Sequence, residues 1–296
     1  MSIGVIGAGK WGQALHFALS QKQTCYITSR HKREIENFVS LEEILKLEYL
    51  VITIPAQMIS AWLREHFVFN GQKVLVASKG IEAESGRFLN EIYDEYVPEE
   101  NIAFLSGPSF AAEVLRSLPT ALVVNSTNET LAKEFASFFP DFIKTYTSDD
   151  VIGAEIAGAY KNVIAIAAGI CEGLELGKNA AAALISRGLV EMHRFGRSYG
   201  AKDETFLGLS GAGDLFLTAS STMSRNFRVG LGLAKGQSKE EIIEELGEVA
   251  EGIGTAYALK SISEKRSLYL PIATEVYAVL EGKDPKESLW TLLSRS

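Results

Sequence analysis

The sequence predicts an α/β chain in two parts: a domain built on a doubly wound sheet over residues 1–148, then an all-α domain over residues 149–296. Three observations carry this reading. Apolar runs of strand length alternate with helical runs through the first half, the pattern of a sheet covered by helices. Such runs stop near Asp149, after which long stretches with helical spacing take over. The chain of 296 residues also exceeds what one hydrophobic core usually supports, so two domains are the default.

Ser2-Ile3-Gly4-Val5-Ile6 reads as a buried strand and runs straight into Gly7-Ala8-Gly9-Lys10-Trp11-Gly12, with a helix expected from Gln13 to Leu19. The spacing of Gly7, Gly9 and Gly12 fits a dinucleotide-binding turn. Gly7 permits the tight turn, Gly9 lets the backbone approach a pyrophosphate, and Gly12 lets the helix pack close to the strand. The helix start adds N–H groups and a partial positive charge for the phosphates. A glycine triplet can also make a β–α turn without a ligand. Its place between an N-terminal strand and a helix favours the Rossmann-type reading.

Thr24-Cys25-Tyr26-Ile27-Thr28 is the second expected strand. NAD-preferring sites tend to end this strand in Asp or Glu, which binds the adenosine ribose. Here it ends in Ser29-Arg30-His31-Lys32-Arg33, whose cations suit a 2′-phosphate and hence NADP(H). The alternative is a solvated basic turn. Further strands are expected at 50–54, 73–77, 102–105, 120–124 and 143–146, with a helix from about Gln57 to Phe67. Strand–helix alternation indicates a parallel, doubly wound sheet, whose ligands bind beyond the carboxyl ends of the strands. Lys79 and Ser109 follow two such ends and are candidates to face one cleft.

In the second half, helices are expected over 151–174, 179–199, 225–234, 239–246, 254–265, 272–280 and 285–293. No flexible linker separates the halves, so a continuous helix is expected to join them. The 151–174 stretch is apolar and long enough to raise a transmembrane question. Glu155, Lys161, Asn162 and several glycines inside it favour the buried helix of a soluble domain.

A hydrophobic content of 47% and a charged content of 22% are those of an ordinary globular protein. The formal charge is −8 and no dense Lys/Arg run occurs, which argues against nucleic acid and anionic membranes as partners. Cys25 and Cys171 form no CxxC pair, and His16, His31, His66 and His193 are scattered without metal-ligand spacing. A reduced, cytoplasmic protein without a metal site is expected. Folded structure is expected to begin at the N-terminus, and no signal peptide is expected before it.

Among residues that could carry chemistry, Lys161 stands out. Its helical neighbours Ala157, Gly158, Ile164 and Ala165 are apolar or small, so the ammonium is expected in a poorly solvated place that lowers its pKa. Such a lysine can act as general acid or base near neutrality; the alternative is a lysine whose stem packs while its head reaches water. Gly208-Leu209-Ser210-Gly211-Ala212-Gly213-Asp214 reads as a glycine-rich loop delivering one carboxylate. Further on, Ser224 fits an N-cap, with Arg225 and Asn226 in the first turn of the following helix. Helix terminus, guanidinium and amide together suit a phosphate monoester. An ordinary cap and a solvated arginine are the alternatives. Two other patterns fail. Gly107-Pro108-Ser109-Phe110-Ala111 has Ala where the second glycine of a nucleophile elbow belongs. Residues 173–178 are one short of a phosphate loop and lack its Ser/Thr.

Taken together, the segments GAGKWG (7–12), SKGIE (78–82), LSGPSFAAEV (105–114), EIAGAYKNVIAIAAGICEGL (155–174), GLSGAGDLFLT (208–218), SRN (224–226) and EVAEG (248–252) resemble the bacterial-type NAD(P)-dependent glycerol-3-phosphate dehydrogenase family. They span nearly the whole chain in family order. The resemblance implies that Lys161 is the catalytic acid/base, that Lys79 and Asp214 line the reacting carbons, and that Gly107, Ser109, Ser224, Arg225 and Asn226 surround the glycerol phosphate. It implies cofactor contacts at Gly7, Gly9, Lys10, Trp11, Gly12, Arg30, His31, Lys79, Ala111, Arg225, Val249 and Glu251. One departure is visible: the segment between Arg30 and Leu50 is shorter than the family usually carries there, which bears on the NADP-over-NAD preference and leaves the chemistry untouched.

The expected activity is reversible hydride transfer between NAD(P)H, with NADP(H) favoured, and dihydroxyacetone phosphate. The product, sn-glycerol 3-phosphate, would feed glycerophospholipid synthesis by family analogy. Two rivals stand beside it: a two-domain NADP-dependent reductase of a hydroxy or keto acid, and a non-catalytic NADP(H)-sensing protein. The apolar helical domain is compatible with a homodimer.

Overall fold

The computed structural model describes residues 2–294. Contacts divide the chain into two compact units, one comprising 1–78 and 89–155, the other 79–88 and 156 onward.

In the first unit the order is β1 (Ser2–Ile6), α1 (Lys10–Leu19), β2 (Thr24–Thr28), α2 (Leu41–Ile44), β3 (Tyr49–Ile52), α3 (Ile59–His66), β4 (Lys73–Val76), α4 (Leu89–Tyr93), β5 (Ile102–Ser106), α5 (Ala111–Val114), β6 (Thr120–Asn125), α6 (Glu129–Ser137) and β7 (Ile143–Ser148). The strands form one seven-stranded sheet in the order β2-β1-β3-β4-β5-β6-β7. Alternate residues of each strand point to opposite faces, and both faces are packed. Val5, Val51 and Leu75 enter one apolar core with Leu15, while Ile6, Ile52 and Val76 enter the other with Leu63. The chain reverses direction across the sheet at β1 and β3, the topological switch point where ligands of such sheets bind.

The sheet departs from an all-parallel expectation in one pairing. β6 runs antiparallel to β5, with Phe104 opposite Asn125 and Ser106 opposite Val123. A parallel return needs a crossover that spans the sheet face, usually a helix of several turns. Between Ser106 and Thr120 the chain forms only the single-turn α5, so it folds straight back. The helix expected from Gln57 to Phe67 resolves into a 3₁₀ turn at Ala56–Met58 followed by α3.

The second unit is helical: α7 (Val151–Gly173), whose residues from 156 onward belong here, α8 (Gly177–Arg197), α9 (Asp203–Leu207), α10 (Asp214–Ala219), α11 (Arg225–Ala234), α12 (Lys239–Leu246), α13 (Glu251–Arg266), α14 (Pro271–Leu280) and α15 (Pro285–Leu293). The sequence places the domain boundary at 148/149, whereas the compact units divide α7 itself after Glu155 and give 79–88 to the helical unit. That short segment closes on itself through an Ile81–Phe88 bridge, and Phe88 packs edge-on against Tyr199 and tilted against Phe195. In the most apolar window of α7, 89% is buried by the protein, as in a core helix. Glu191 of α8 fastens α14 by accepting from the amides of Ile272 and Ala273 and from the Tyr160 hydroxyl of α7, so one carboxylate satisfies a buried helix start.

The glycine-rich stretch before Asp214 is not a loop. Residues Leu209–Gly213 form a π-helical turn between α9 and α10, and Asp214 opens α10. Its glycines serve close packing: a Cβ on Gly211 would lie 2.3 Å from the carbonyl oxygen of Phe206.

Candidate active site

Two sets of candidate residues are built on separate units. In the sheet unit the turn after β1 has Gly7 at φ +112°, a conformation that side chains resist. A Cβ on Gly12 would lie 1.8 Å from the Gly7 carbonyl oxygen, so only glycine lets α1 begin this close to β1. A Cβ on Gly9 would meet nothing within 4 Å, which leaves open space at the start of α1. Gly9 caps α1 without any side-chain bond to its first amides. A cradle of this shape, open at Gly9 and lined by helix-start amides, fits a dinucleotide pyrophosphate. Thr53 Oγ1 donates to the Gly7 carbonyl at 2.9 Å and steadies the turn. The Trp11 indole N–H donates to the Ala77 carbonyl at 3.0 Å, which fixes the ring beside Lys10 and Gly12. Arg30 and His31 are exposed after β2, with Arg30 Nε donating to His31 Nε2 at 3.2 Å. Gly107 (φ +106°) and Ser109, whose Oγ donates to the Gly107 carbonyl at 3.4 Å, follow β5, and Ala111 opens α5.

In the helical unit Lys161 sits on α7, only 7% exposed. Its Nζ donates to Asp214 Oδ1 at 2.5 Å and to Thr218 Oγ1 at 2.9 Å. The other oxygen of Asp214 accepts from Lys79 Nζ at 2.6 Å. Lys79 reaches it over Gly158 of α7, where a Cβ would press within 3.3 Å of the lysine stem. Thr218 lies one turn after Asp214 on α10 and donates to the Asp214 carbonyl at 2.6 Å. One carboxylate therefore bridges two ammoniums, and a hydroxyl supports the buried one.

The electrostatics follow from this packing. Burial drives the Lys161 ammonium down to about 8; the Asp214 carboxylate opposes that shift, while the charges of Lys79 and Arg225 add to it. Burial alone would raise the Asp214 carboxyl, but the two ammoniums outweigh it and hold the group below the usual carboxylate range. The result is an ionised acid next to a lysine that can gain or lose a proton near neutral pH.

Arg225 is carried to this region by a close helix crossing. A Cβ on Gly169 of α7 would lie 2.1 Å from the Phe227 carbonyl, and one on Gly230 of α11 would lie 2.0 Å from the Ile166 carbonyl. Ser224 caps α11, its Oγ accepting from the Phe227 amide at 3.2 Å. Asn226 Oδ1 accepts from the Gly252 amide at 3.0 Å, which ties α11 to the start of α13. Arg225 Nη1 lies 3.5 Å from Glu248 Oε2. Val249 and Glu251 follow in the same connection, Val249 exposed and Glu251 opening α13.

The helical unit thus brings together Lys79, Lys161 and Asp214, with Ser224, Arg225 and Asn226 at the head of α11. The other candidates, from Gly7 to His31 and from Gly107 to Ala111, belong to the sheet unit. Two participants carried no role in the sequence reading. Thr218 could have been found from its i+4 spacing to Asp214. Glu248 lies inside the EVAEG segment, but its pairing with Arg225 depends on where the 247–250 turn lands. Among the described residues no group of three or more His, Cys, Asp or Glu side chains could hold a metal ion.

Comparisons with known proteins place the chain in a family. Residues 30–132 match the family model described as NAD-dependent glycerol-3-phosphate dehydrogenase N-terminus, and residues 150–291 match that of the C-terminus. A glycerol-3-phosphate dehydrogenase (NAD(P)+) of Sulfurimonas denitrificans is 76% identical over 292 residues, covering 99% of each chain. One from Nitratiruptor is 62% identical over 296 residues, covering 100% of this chain and 99% of the other. The crystal structure of glycerol-3-phosphate dehydrogenase from Coxiella burnetii superposes with a TM-score of 0.91 at 31% identity, covering 99% of both chains. The chain belongs to the NAD-dependent glycerol-3-phosphate dehydrogenase family.

Proposed function

We propose that the chain interconverts dihydroxyacetone phosphate and sn-glycerol 3-phosphate, with Lys161 as the acid/base. The observation that carries this is the buried lysine on α7 whose Nζ donates to Asp214 Oδ1 at 2.5 Å. A bound nicotinamide cofactor supplies or accepts the hydride at C2 of the substrate. In the reducing direction Lys161, as the ammonium, donates a proton to the oxygen that develops charge at C2. The neutral amine left behind is tolerated because burial favours it. In the oxidising direction the amine accepts the proton of the C2 hydroxyl. Asp214 keeps Lys161 oriented, and Lys79 keeps the carboxylate from moving with it. Arg225, Ser224, Asn226 and the start of α11 bind the phosphate, so that binding at a remote group orients the reacting carbon. Gly107 and Ser109 complete the substrate contacts.

On this reading the sheet unit is the dinucleotide-binding domain and the helical unit the catalytic one. Gly7, Gly9 and Gly12, with Lys10, Trp11 and Ala111, hold the cofactor, and Arg30 and His31 favour its 2′-phosphorylated form. Lys79, Arg225, Val249 and Glu251 make the remaining cofactor contacts. The product enters glycerophospholipid synthesis. Two free, buried cysteines support a reducing cytoplasmic setting, and α7 is used in the core rather than in a membrane.

The test is Lys161→Ala. Turnover with dihydroxyacetone phosphate should fall on the order of 10³-fold, the contribution of a positioned general acid. NADPH binding, read by fluorescence titration, should be unchanged. Substantial retained turnover removes Lys161 from the chemistry. Equal or better reduction of ketopantoate in the same assay would favour the keto-acid reductase reading.

A further inference from the structure

Arg225 Nη1 and Glu248 Oε2 stand 3.5 Å apart, and both side chains are partly exposed, at 42% and 27%. Glu248 follows Gly247, which ends α12 in the left-handed conformation and turns the chain back toward α11. The same connection is anchored at its far end, where Asn226 Oδ1 accepts from the Gly252 amide. Two adjacent residues at the head of α11 therefore hold both ends of segment 248–252. The guanidinium presents a fixed fork of donors that matches a carboxylate or a phosphate but does not serve both in full. A second anion brought to the same fork also meets like-charge repulsion.

We propose that Glu248 is a positioning residue that sets the affinity for the substrate's phosphate: its carboxylate holds the Arg225 guanidinium and yields it when a phosphate monoester binds. This rests on the assignment of Arg225 to the phosphate. Glu248 thus weakens phosphate binding and hastens release of the phosphorylated product, at the site where an uncontested arginine would hold it longer. Because the pair is partly solvated, the effect is modest, about three- to fivefold, near the upper end of what exposed ion pairs reach.

The test compares Glu248→Gln, which keeps size and loses charge, with Glu248→Asp, which keeps charge. Three quantities are measured: KM for dihydroxyacetone phosphate, the competitive inhibition constant of inorganic phosphate, and kcat/KM for dihydroxyacetone, which lacks the phosphate. Glu248→Gln should lower the first two about three- to fivefold, with kcat unchanged or reduced, and leave the third alone. Glu248→Asp should stay near the wild type. An unchanged or weaker phosphate inhibition in Glu248→Gln overturns the proposal. So does an equal change with dihydroxyacetone, or the same phosphate constant in both variants. Arg225→Ala, measured alongside, separates the two claims. If it leaves KM unchanged, the phosphate assignment itself fails. If it raises KM while Glu248→Gln does nothing to phosphate inhibition, only the role of Glu248 fails.

Discussion

At the scale of single residues, Lys161, Asp214 and Lys79 each make the others tolerable. A buried ammonium alone would neutralise and a buried carboxylate alone would protonate; together the charges persist, with Lys161 at about 8. The direction of the pH dependence follows. Ketone reduction needs the ammonium, so kcat/KM should be level below about 8 and fall as pH rises through that value. Alcohol oxidation needs the amine and should rise through the same value. A reduction profile flat through that range would contradict an acid at position 161. Asp214→Asn removes the carboxylate that raises the Lys161 pKa while keeping the two cations, Lys79 and Arg225, that lower it. The break in the reduction profile should move to lower pH and kcat should drop about 100-fold or more. A profile that keeps its break near the wild-type value would mean Asp214 does not act on the lysine.

At the scale of elements, the glycine turn and the cap of α11 make separable predictions. Gly12→Ala puts a Cβ 1.8 Å from the Gly7 carbonyl oxygen, so β1 and α1 cannot keep their approach. NADPH binding by fluorescence should weaken by at least an order of magnitude, a loss of about 1.4 kcal/mol or more. An intact dissociation constant would show that the turn does not carry the cofactor. Ser224→Ala removes the acceptor for the Phe227 amide and should cost about 1 kcal/mol in urea denaturation. These elements were legible because their signals are local. The predicted helices at 225–234, 239–246 and 285–293 coincide with α11, α12 and α15. The π-helical turn before Asp214 was not legible, because glycine spacing alone does not distinguish a loop from a tightly packed helix whose neighbour is Phe206.

At the scale of the whole molecule, stability should carry the mark of one buried acid. Glu155 on α7 is 8% exposed, and its Oε2 accepts the Asn90 amide at 2.7 Å. Burial raises its carboxyl from 4.5 to about 8; the Asn90 amide lowers it, and the charges of Glu91 and Asp94 add to the rise. The folded state therefore keeps a proton that the unfolded chain releases above 4.5. The stability linked to that proton is full below 4.5 and is lost as pH climbs through about 8. Glu155→Gln keeps an acceptor for Asn90 and loses the titration. It should match the wild type near pH 4, below the unfolded-chain value, and exceed it by roughly 2–4 kcal/mol above pH 8, as judged by urea denaturation. Equal stabilities at high pH would mean that Glu155 ionises at no cost.

Local periodicity, spacing and neighbouring residue types are enough to read off the alternation of the sheet half, the helical second half, the glycine turn after β1 and the unusual setting of Lys161. The antiparallel return of β6, the membership of residues 79–88 in the helical unit, and the placing of Thr218 beside Lys161 and of Glu248 beside Arg225 emerge only in three dimensions. Those facts depend on residues far apart in the chain meeting at distances of a few ångströms, and no local pattern records which of the possible partners will arrive.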